Sequence, residues 1–253
     1  MRGKAIRRLI GLGFIFSLFV TIQHKISFAA DSEEGGLTEL IKKDSERIIG
    51  LLKNGQPEKK AIKRIKCGSV MIAAYAEHLL TSGKKEASLI AIREAALAVS
   101  KDVSAKKYAN ADKIAKTLLN PGKASTASYK AGELVKLSKL DVDTLMSQYV
   151  KTVSGGLNME ADIRSASKSA AKVPAQDIAL RVKITADLMM TMEPDSGFLG
   201  GKKTKAAWVQ FCKDMSGAAG EVMTNIPSGG KKLQSAFLKL DGTCTACHNI
   251  FKE

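Results

Sequence analysis

Apolar side chains recur every three or four residues through nearly the whole chain, which is the spacing of one face of an α-helix. An early segment shows the pattern, with apolar residues at Leu37, Leu40, Ile41, Ile48 and Leu51 or Leu52. No segment alternates apolar and polar residues as a half-buried strand would, and helix-ending signals separate the periodic stretches. The sequence therefore predicts an all-α fold.

The composition agrees with a folded helical protein. Of the 253 residues, 45% are hydrophobic and 26% are charged, so the chain can bury a core and is not typical of disorder. Aromatic residues account for only 5%, which favours helices over sheets. Among the predicted elements is one helix over 131–153, closed by Gly155 and Gly156.

Residues 1–30 have the layout of a secretory signal peptide. A basic start, "MRGKAIRR", precedes an apolar run that ends at Ile22, and small residues follow up to Ala29 and Ala30. The apolar run is shorter than the roughly 20 residues that a membrane-spanning helix needs. We therefore expect cleavage after Ala29 or Ala30, an exported or periplasmic protein, and no membrane span after cleavage.

The chain is strongly basic, with 40 Lys and Arg residues against 25 Asp and Glu residues. The predicted leader holds five basic residues and no acidic ones, which leaves 35 against 25 and a charge of +10. The lysines are scattered among acidic and apolar residues, without an arginine-rich cluster or a nucleic-acid-reading motif. This pattern favours a solvated lysine-rich surface, with docking of an acidic redox partner as the second interpretation, and does not predict nucleic-acid binding.

A weak internal similarity divides the mature chain into two helical regions, 31–155 and 156–253. The segment "KRIKCGSVMIAAY" aligns with "LRVKITADLMMTM", which matches Arg64 to Arg181, and "IREAALAVSKDV" then aligns with "FCKDMSGAAGEV". Each region has the size of a small domain. The similarity indicates a duplication, although any two amphipathic helices align to a comparable extent.

The motif that predicts a chemical function is "TCTACH", close to the end of the sequence. In an exported protein, two cysteines three apart followed by histidine are the signature of covalent haem c attachment. Both thiols bond to the haem vinyl groups and the histidine ligates the iron, here Cys244, Cys247 and His248. On a helix these three side chains share one face, which continues the apolar stripe of Leu233, Phe237, Leu240 and Phe251.

Other uses of the two cysteines fit less well. A redox dithiol belongs at the start of a helix after a strand, whereas this pair comes late in a predicted helix. A structural zinc site needs four ligands, and the mature chain offers only His78, His248 and two distant further cysteines. A disulfide between Cys244 and Cys247 would be strained.

The segment "LQSAFLKLDGTCTACHNIFKE" resembles the C-terminal helix of class II c-type cytochromes, the cytochrome c′ family. The preceding "AAWVQFCKDM" is similar to that family's third helix, with Trp208 and a phenylalanine three residues on. The resemblance runs from Asp177 onward. It implies an antiparallel four-helix bundle that carries one covalent haem c, with His248 as the proximal ligand and Phe251 at the haem, and it implies a homodimer. The region 31–155 has no C-x-x-C-H sequence and is expected to be a haemless helical bundle.

The same resemblance places the helix "DIALRVKITADLMMTM" on the other side of the iron. Its inward stripe is Ile178, Val182, Thr185, Met189 and Met192. If Met189 ligates, the protein is a low-spin electron carrier with a raised potential. If Thr185 faces the iron, the iron stays five-coordinate and open to a small gas such as NO or CO. Methionines on such a stripe also serve as core packing.

Two cysteines, a histidine and an arginine are further candidates for a role near the iron. Cys212 is expected to be a buried thiol, with a disulfide to Cys67 or thiolate ligation as the alternatives. His78 is expected to be a partly exposed residue at a helix end, and ligation of the iron by His78 is a weaker interpretation. Arg181 is the nearest candidate for the distal acid–base group of a haem enzyme such as a peroxidase.

The leading hypothesis is an exported monohaem electron-transfer protein that is not an enzyme, and the alternative is a five-coordinate protein that binds a gas. Basic residues such as Lys239 and Lys252 would steer an acidic redox partner to the haem edge.

Overall fold

The computed structural model describes residues 33–84, 86–122, 132–150, 153–169, 172–192 and 199–251. The predicted signal peptide at 1–30 lies outside these ranges, as does Lys252.

Ten α-helices lie within the described ranges, and no strand is formed there. In chain order they are α1 (33–52), α2 (Ile62–Thr81), α3 (Ala87–Ser104), α4 (Tyr108–Thr117), α5 (Leu134–Ser138), α6 (Val142–Met146), α7 (Met159–Lys168), α8 (Ala175–Thr191), α9 (Lys205–Asn225) and α10 (Gly230–Phe251). The predicted all-α class is confirmed. Within the described ranges, no helix is both long and apolar enough to cross a membrane.

The helices pack mainly against their neighbours in sequence. In the N-terminal half, α2 packs on α3 and α3 on α4, and in the C-terminal half α8 packs on α9 and α9 on α10. Helix pairs more distant in sequence include α10 with α7 and α2 with α8. Both aligned segments of the internal similarity therefore form a packed helix pair, α2 with α3 and α8 with α9, while the duplication itself stays a prediction.

One contiguous core of buried apolar side chains runs through both halves, from Leu37 in α1 to Phe251 in α10. The boundary predicted near residue 155 therefore does not coincide with a break in this core. Whether the halves are separate domains stays a prediction.

A buried ion-pair network ties α1 to the C-terminal half. The Arg181 guanidinium on α8 donates to both carboxylate oxygens of Asp44 on α1, at 2.6 and 3.1 Å, and also to the Tyr75 hydroxyl at 3.2 Å. Arg47, one turn after Asp44, donates to the same carboxylate at 3.2 Å and to the carbonyl oxygen of Gly155 at 2.8 Å. Asp44 thus holds two arginines, one on α8 and one that reaches the Gly155 carbonyl group.

The helix predicted over 131–153 is wrong. The described residues there form two short helices, α5 and α6, and a 3₁₀ turn over Ser147–Tyr149. Lys139 ends α5 in the left-handed conformation, with φ 48°, and the Asp141 carboxylate then accepts from the Thr144 backbone N–H at 2.6 Å and caps α6. The chain therefore turns twice where a single helix was expected. We refer to residues 132–158 as the connecting segment.

Contacts at its far end hold the connecting segment against α8. The Gln148 side-chain amide donates to the Thr185 hydroxyl at 3.2 Å, inside the core. Backbone bonds from Leu157 to Gln148, at 2.9 Å, and from Asn158 to Val150, at 2.8 Å, close its last turn. These contacts place the side chains of 146–150 beside the C-terminal helices.

Candidate functional site

The C-terminal helix α10 presents its predicted face to the protein interior. Phe237, Leu240 and Phe251 are buried, and Leu233 is partly buried against the same core. Cys244 and Cys247 are half-buried on this helix, whereas His248, which was predicted on the same face, is exposed. The 3.6-residue period thus predicted correctly which side of α10 packs inward.

A cavity of about 850 Å³ lies against this part of α10. Its volume falls in the upper part of the range of ligand-binding pockets, roughly 300–1,000 Å³. Five of the six predicted site residues line it: Cys244, Cys247, His248, Phe251 and Met189. The rest of its wall is mostly apolar and includes Val135, Leu140, Val142, Met146, Tyr149, Val150, Ile163, Met192, Trp208 and Met215.

An aromatic cluster fixes the end of α10 at this cavity. The Phe251 ring stands edge-on to Trp208, with ring centres 5.3 Å apart, and to Phe211, at 5.9 Å. The Trp208 indole N–H donates to the Met189 carbonyl oxygen at 2.8 Å, which connects α9 to the end of α8. The last turn of α10 is therefore held by α9, and α9 is held to α8.

The cysteine pair has the wrong electrostatics for a redox dithiol. Burial raises the pKa of the Cys244 thiol to about 11, with a further contribution from the nearby Asp241 carboxylate. Burial also raises the pKa of the Cys247 thiol. Reactive dithiols have lowered pKa values, as at helix N-termini, whereas these thiols lie near a helix C-terminus and stay protonated at neutral pH.

The zinc alternative also lacks a geometric basis. Across the described ranges, no three or more His, Cys, Asp and Glu side chains lie close enough together to hold a metal ion. Cys244 and Cys247 are therefore not accompanied by the further protein ligands that a structural zinc site requires.

Across the cavity, the two distal alternatives have different positions. Met189 is buried and lines the cavity, together with Met192 from the next turn of α8. Thr185 is fully buried, does not line the cavity, and accepts the hydrogen bond from Gln148. Thr185 is thus the predicted site residue that the structure does not bring to the others.

The connecting segment supplies a wall of the cavity that the sequence did not predict. Leu140, Met146, Tyr149 and Val150 come from this segment. Burial raises the pKa of the Tyr149 hydroxyl, and the neighbouring Thr185 hydroxyl offsets part of the rise. The capping pattern at Asp141 was the available sequence signal, because an aspartate three residues before Thr144 marks the start of a new helix.

The remaining cysteines are buried free thiols. Cys67 donates to the Leu145 carbonyl oxygen at 3.5 Å, and Cys212 lies in α9 at 1% exposure. Burial raises the pKa of each thiol to about 12. They match the expected inert buried thiols, and the structure forms no disulfide between them.

His78, Arg181 and Lys239 each have partners away from the cavity. His78 Nε2 lies 3.1 Å from Glu33 Oε1, and this contact is the main cause that lowers the pKa of Glu33 to about 2, with Lys183 adding to it. Arg181 is paired with Asp44, and Lys239 with Glu221 of α9. None of the three lines the cavity.

Comparison with protein-family models, with curated proteins and with solved structures gives no match to this chain. The residues around the cavity, and the cavity itself, are therefore the basis for a functional proposal.

Proposed function

We propose that this chain is an exported monohaem c-type cytochrome that transfers electrons. Cys244 and Cys247 would hold one haem c through thioether bonds, and His248 would be the proximal ligand. The observation that carries this proposal is the cavity of about 850 Å³ on the face of α10 where C-x-x-C-H lies. The helices α7 to α10 would form the haem-bearing four-helix bundle, in line with the resemblance to class II cytochromes.

The side chains around the cavity fit a haem. Its wall combines the two cysteines and the histidine on one side with apolar and methionine side chains on the others. A porphyrin is a large apolar ring that needs such a wall. Lys203 and Arg164 also line the cavity, together with the carboxylates of Asp141, Asp143, Glu160 and Asp241, and Arg164 is paired with Glu160 at 3.1 Å.

When bound, haem supplies an iron that cycles between ferric and ferrous states and so carries one electron. The chain's own residues would position it and tune it. Apolar side chains of α8, α9, α10 and the connecting segment would surround the haem, and the packing of Phe251 on Trp208 holds the helix that carries the ligands. Arg181, the candidate acid–base group of a haem enzyme, is paired with Asp44 and does not line the cavity.

The direct test uses the mature chain, produced in the periplasm of a host that attaches haem c. We expect the denatured protein to keep one haem by mass and the native protein to show a Soret band. A mature chain that carries no covalent haem in that host would overturn the proposal.

A second candidate function is that of a five-coordinate protein that binds a gas. The two functions differ in whether Met189 ligates the iron. Met189 lines the same cavity as the cysteines and the histidine of α10, whereas Thr185 does not, which supports a methionine ligand. We expect the reduced protein to be low-spin and its spectrum to be unchanged by CO. In Met189→Leu, which keeps the side-chain volume, we expect a high-spin spectrum that shifts with CO and a lower midpoint potential.

The matched control for this substitution is Met192→Leu, three residues further on in the same cavity wall. It should leave the spin state and the CO response unchanged. A reduced wild-type protein whose spectrum shifts fully with CO would instead support the gas-binding function. Low-spin spectra in both variants would show that neither methionine is the ligand.

A further inference from the structure

A second concave surface lies behind the wall of the main cavity. It is a cleft of about 360 Å³ between the first turn of α2, the end of α3, the start of α4 and α6. Its lining includes Ile62 and Val103, the half-buried ring of Tyr108, and the side chains of Lys63, Lys66 and Lys106. The cleft therefore combines apolar walls with a positively charged rim.

Lysines surround this cleft because α2 and α3 pack as consecutive helices. Their packing brings the start of α2 beside the end of α3, so that the lysines before α2 and those after α3 meet at one end of the N-terminal half. We call Lys59, Lys60, Lys63, Lys66, Lys106 and Lys107 the lysine patch. All but Lys66 are exposed, and Lys66 is half-buried.

The positive charge of the lysine patch is only partly balanced. Among the described residues, Lys59, Lys106 and Lys107 form no ion pair, whereas Lys63 is paired with Asp143 of α6. The other nearby carboxylates are already occupied: Glu58 pairs with Lys53 at 2.5 Å, and Asp102 accepts from the Asn110 side chain. Lys66 donates to the Lys139 carbonyl oxygen at 3.1 Å, so among the three lysines that line the cleft it is Lys106 whose ammonium group stays free next to the apolar surface.

We propose that the lysine patch and its cleft bind an acidic segment of a partner protein. A carboxylate side chain would meet Lys106 and its neighbours at the rim, while an adjoining apolar side chain would enter between Ile62 and Tyr108. Protein interfaces have an apolar core with a polar rim and are enriched in tyrosine. A flat anionic bilayer would meet the exposed lysines but would not fill the cleft.

The position of the cleft connects it to the main cavity. Thr144 of α6 lines the cleft, while Val142 and Met146 of the same helix line the main cavity. A helix with its side chains is about 10–12 Å across, so a docked partner would lie roughly one helix diameter from the cavity. Its use for electron exchange rests on the proposed haem function, whereas the binding itself does not.

The binding test uses the mature full-length chain and a fluorescent peptide of glutamates that contains one leucine. We expect binding that weakens as salt is added and that weakens about tenfold in the double variant Lys60→Glu/Lys106→Glu. Both substituted lysines are exposed, so the fold should be kept. The control is Lys231→Glu/Lys232→Glu, exposed residues at the start of α10 that change the net charge equally.

An equal loss of binding in the two double variants would overturn the proposal, since it would show a response to net charge alone. Binding to phosphatidylglycerol vesicles without binding to the peptide would overturn it in favour of a membrane surface. Electron exchange at the cleft is measured separately, as the rate at which hexacyanoferrate(III) oxidises the reduced holoprotein. This rate should fall in Lys60→Glu/Lys106→Glu and not in the control variant. If the chain carries no haem, the oxidation rate cannot be measured, but the peptide-binding result still tests the proposal.

Discussion

Replacing both Cys244 and Cys247 by alanine is expected to abolish covalent haem attachment completely. The two thiols lie three residues apart on one face of α10 and both line the cavity, so each would form one thioether bond. Each single variant should keep one bond and therefore stay covalently loaded, at reduced yield. The measurement is the mass of the denatured mature protein, with haem-dependent staining after denaturing electrophoresis.

The matched control replaces the other two cysteines, Cys67→Ala and Cys212→Ala. Both are buried away from the cavity lining, so these variants should carry covalent haem even if they lose some stability. Covalent haem in the Cys244/Cys247 double variant would contradict the assignment of the motif. Loss of haem in the control but not in the double variant would move the attachment site to the buried thiols.

The face of α10 was predictable because helical periodicity is a local property. The spacing of Phe237, Leu240 and Phe251 alone determines that they share a side, and all three are buried. By the same rule the cysteines continue that side and are half-buried, whereas His248, predicted on the same face, is exposed. The all-α class followed in the same way from repeated local patterns.

The far wall of the cavity was not predictable in the same way. Thr185 and Met189 lie one turn apart on the same stripe of α8, so periodicity cannot distinguish them. The distinction comes from Gln148, which lies 37 residues earlier and occupies the Thr185 hydroxyl. Gln148 reaches it only because Lys139 and Asp141 break the expected helix, and that break brings Met146 and Tyr149 to the cavity as well.

Arg181 shows the same limit. From sequence it was a candidate acid–base group, because it is one turn from Thr185. Its partner Asp44 lies 137 residues earlier, on a helix that the local pattern predicted correctly but could not place. Long-range pairing of this kind determines the role of a polar side chain, and the local sequence pattern gives no signal of it.

Removal of the Asp44 carboxylate is expected to cost about 3–5 kcal/mol in the free energy of unfolding. Asp44 is 1% exposed and is the acceptor for both Arg181 and Arg47. Asp44→Ala would leave the buried Arg181 without its counter-charge and would free Arg47, which holds the Gly155 carbonyl group. The measurement is chemical denaturation followed by far-ultraviolet circular dichroism, with Asp44→Asn as a second variant that keeps the shape.

The matched control is Asp177→Ala on α8, which breaks the exposed ion pair with Lys43, at 2.9 Å, and should cost at most about 1 kcal/mol. Equal small losses in Asp44→Ala, Asp44→Asn and the control would show that the network does not hold α1 to α8. If only Asp44→Ala loses cooperative folding, the comparison of unfolding free energies rests on Asp44→Asn and the control.

Lowering the pH should destabilise the wild-type protein through the same ion-pair network. Burial alone would raise the pKa of Asp44, but the charges of Arg181 and Arg47 and their hydrogen bonds outweigh it and hold the pKa below its ordinary value. A carboxyl group with a lowered pKa in the folded state contributes stability above its unfolded pKa, about 3.9, and loses it as the pH falls through the lower folded value. The free energy of unfolding should therefore fall below about pH 4 more steeply in the wild type than in Asp44→Asn. Parallel curves for the two proteins would mean that Asp44 does not pair with the arginines as a carboxylate.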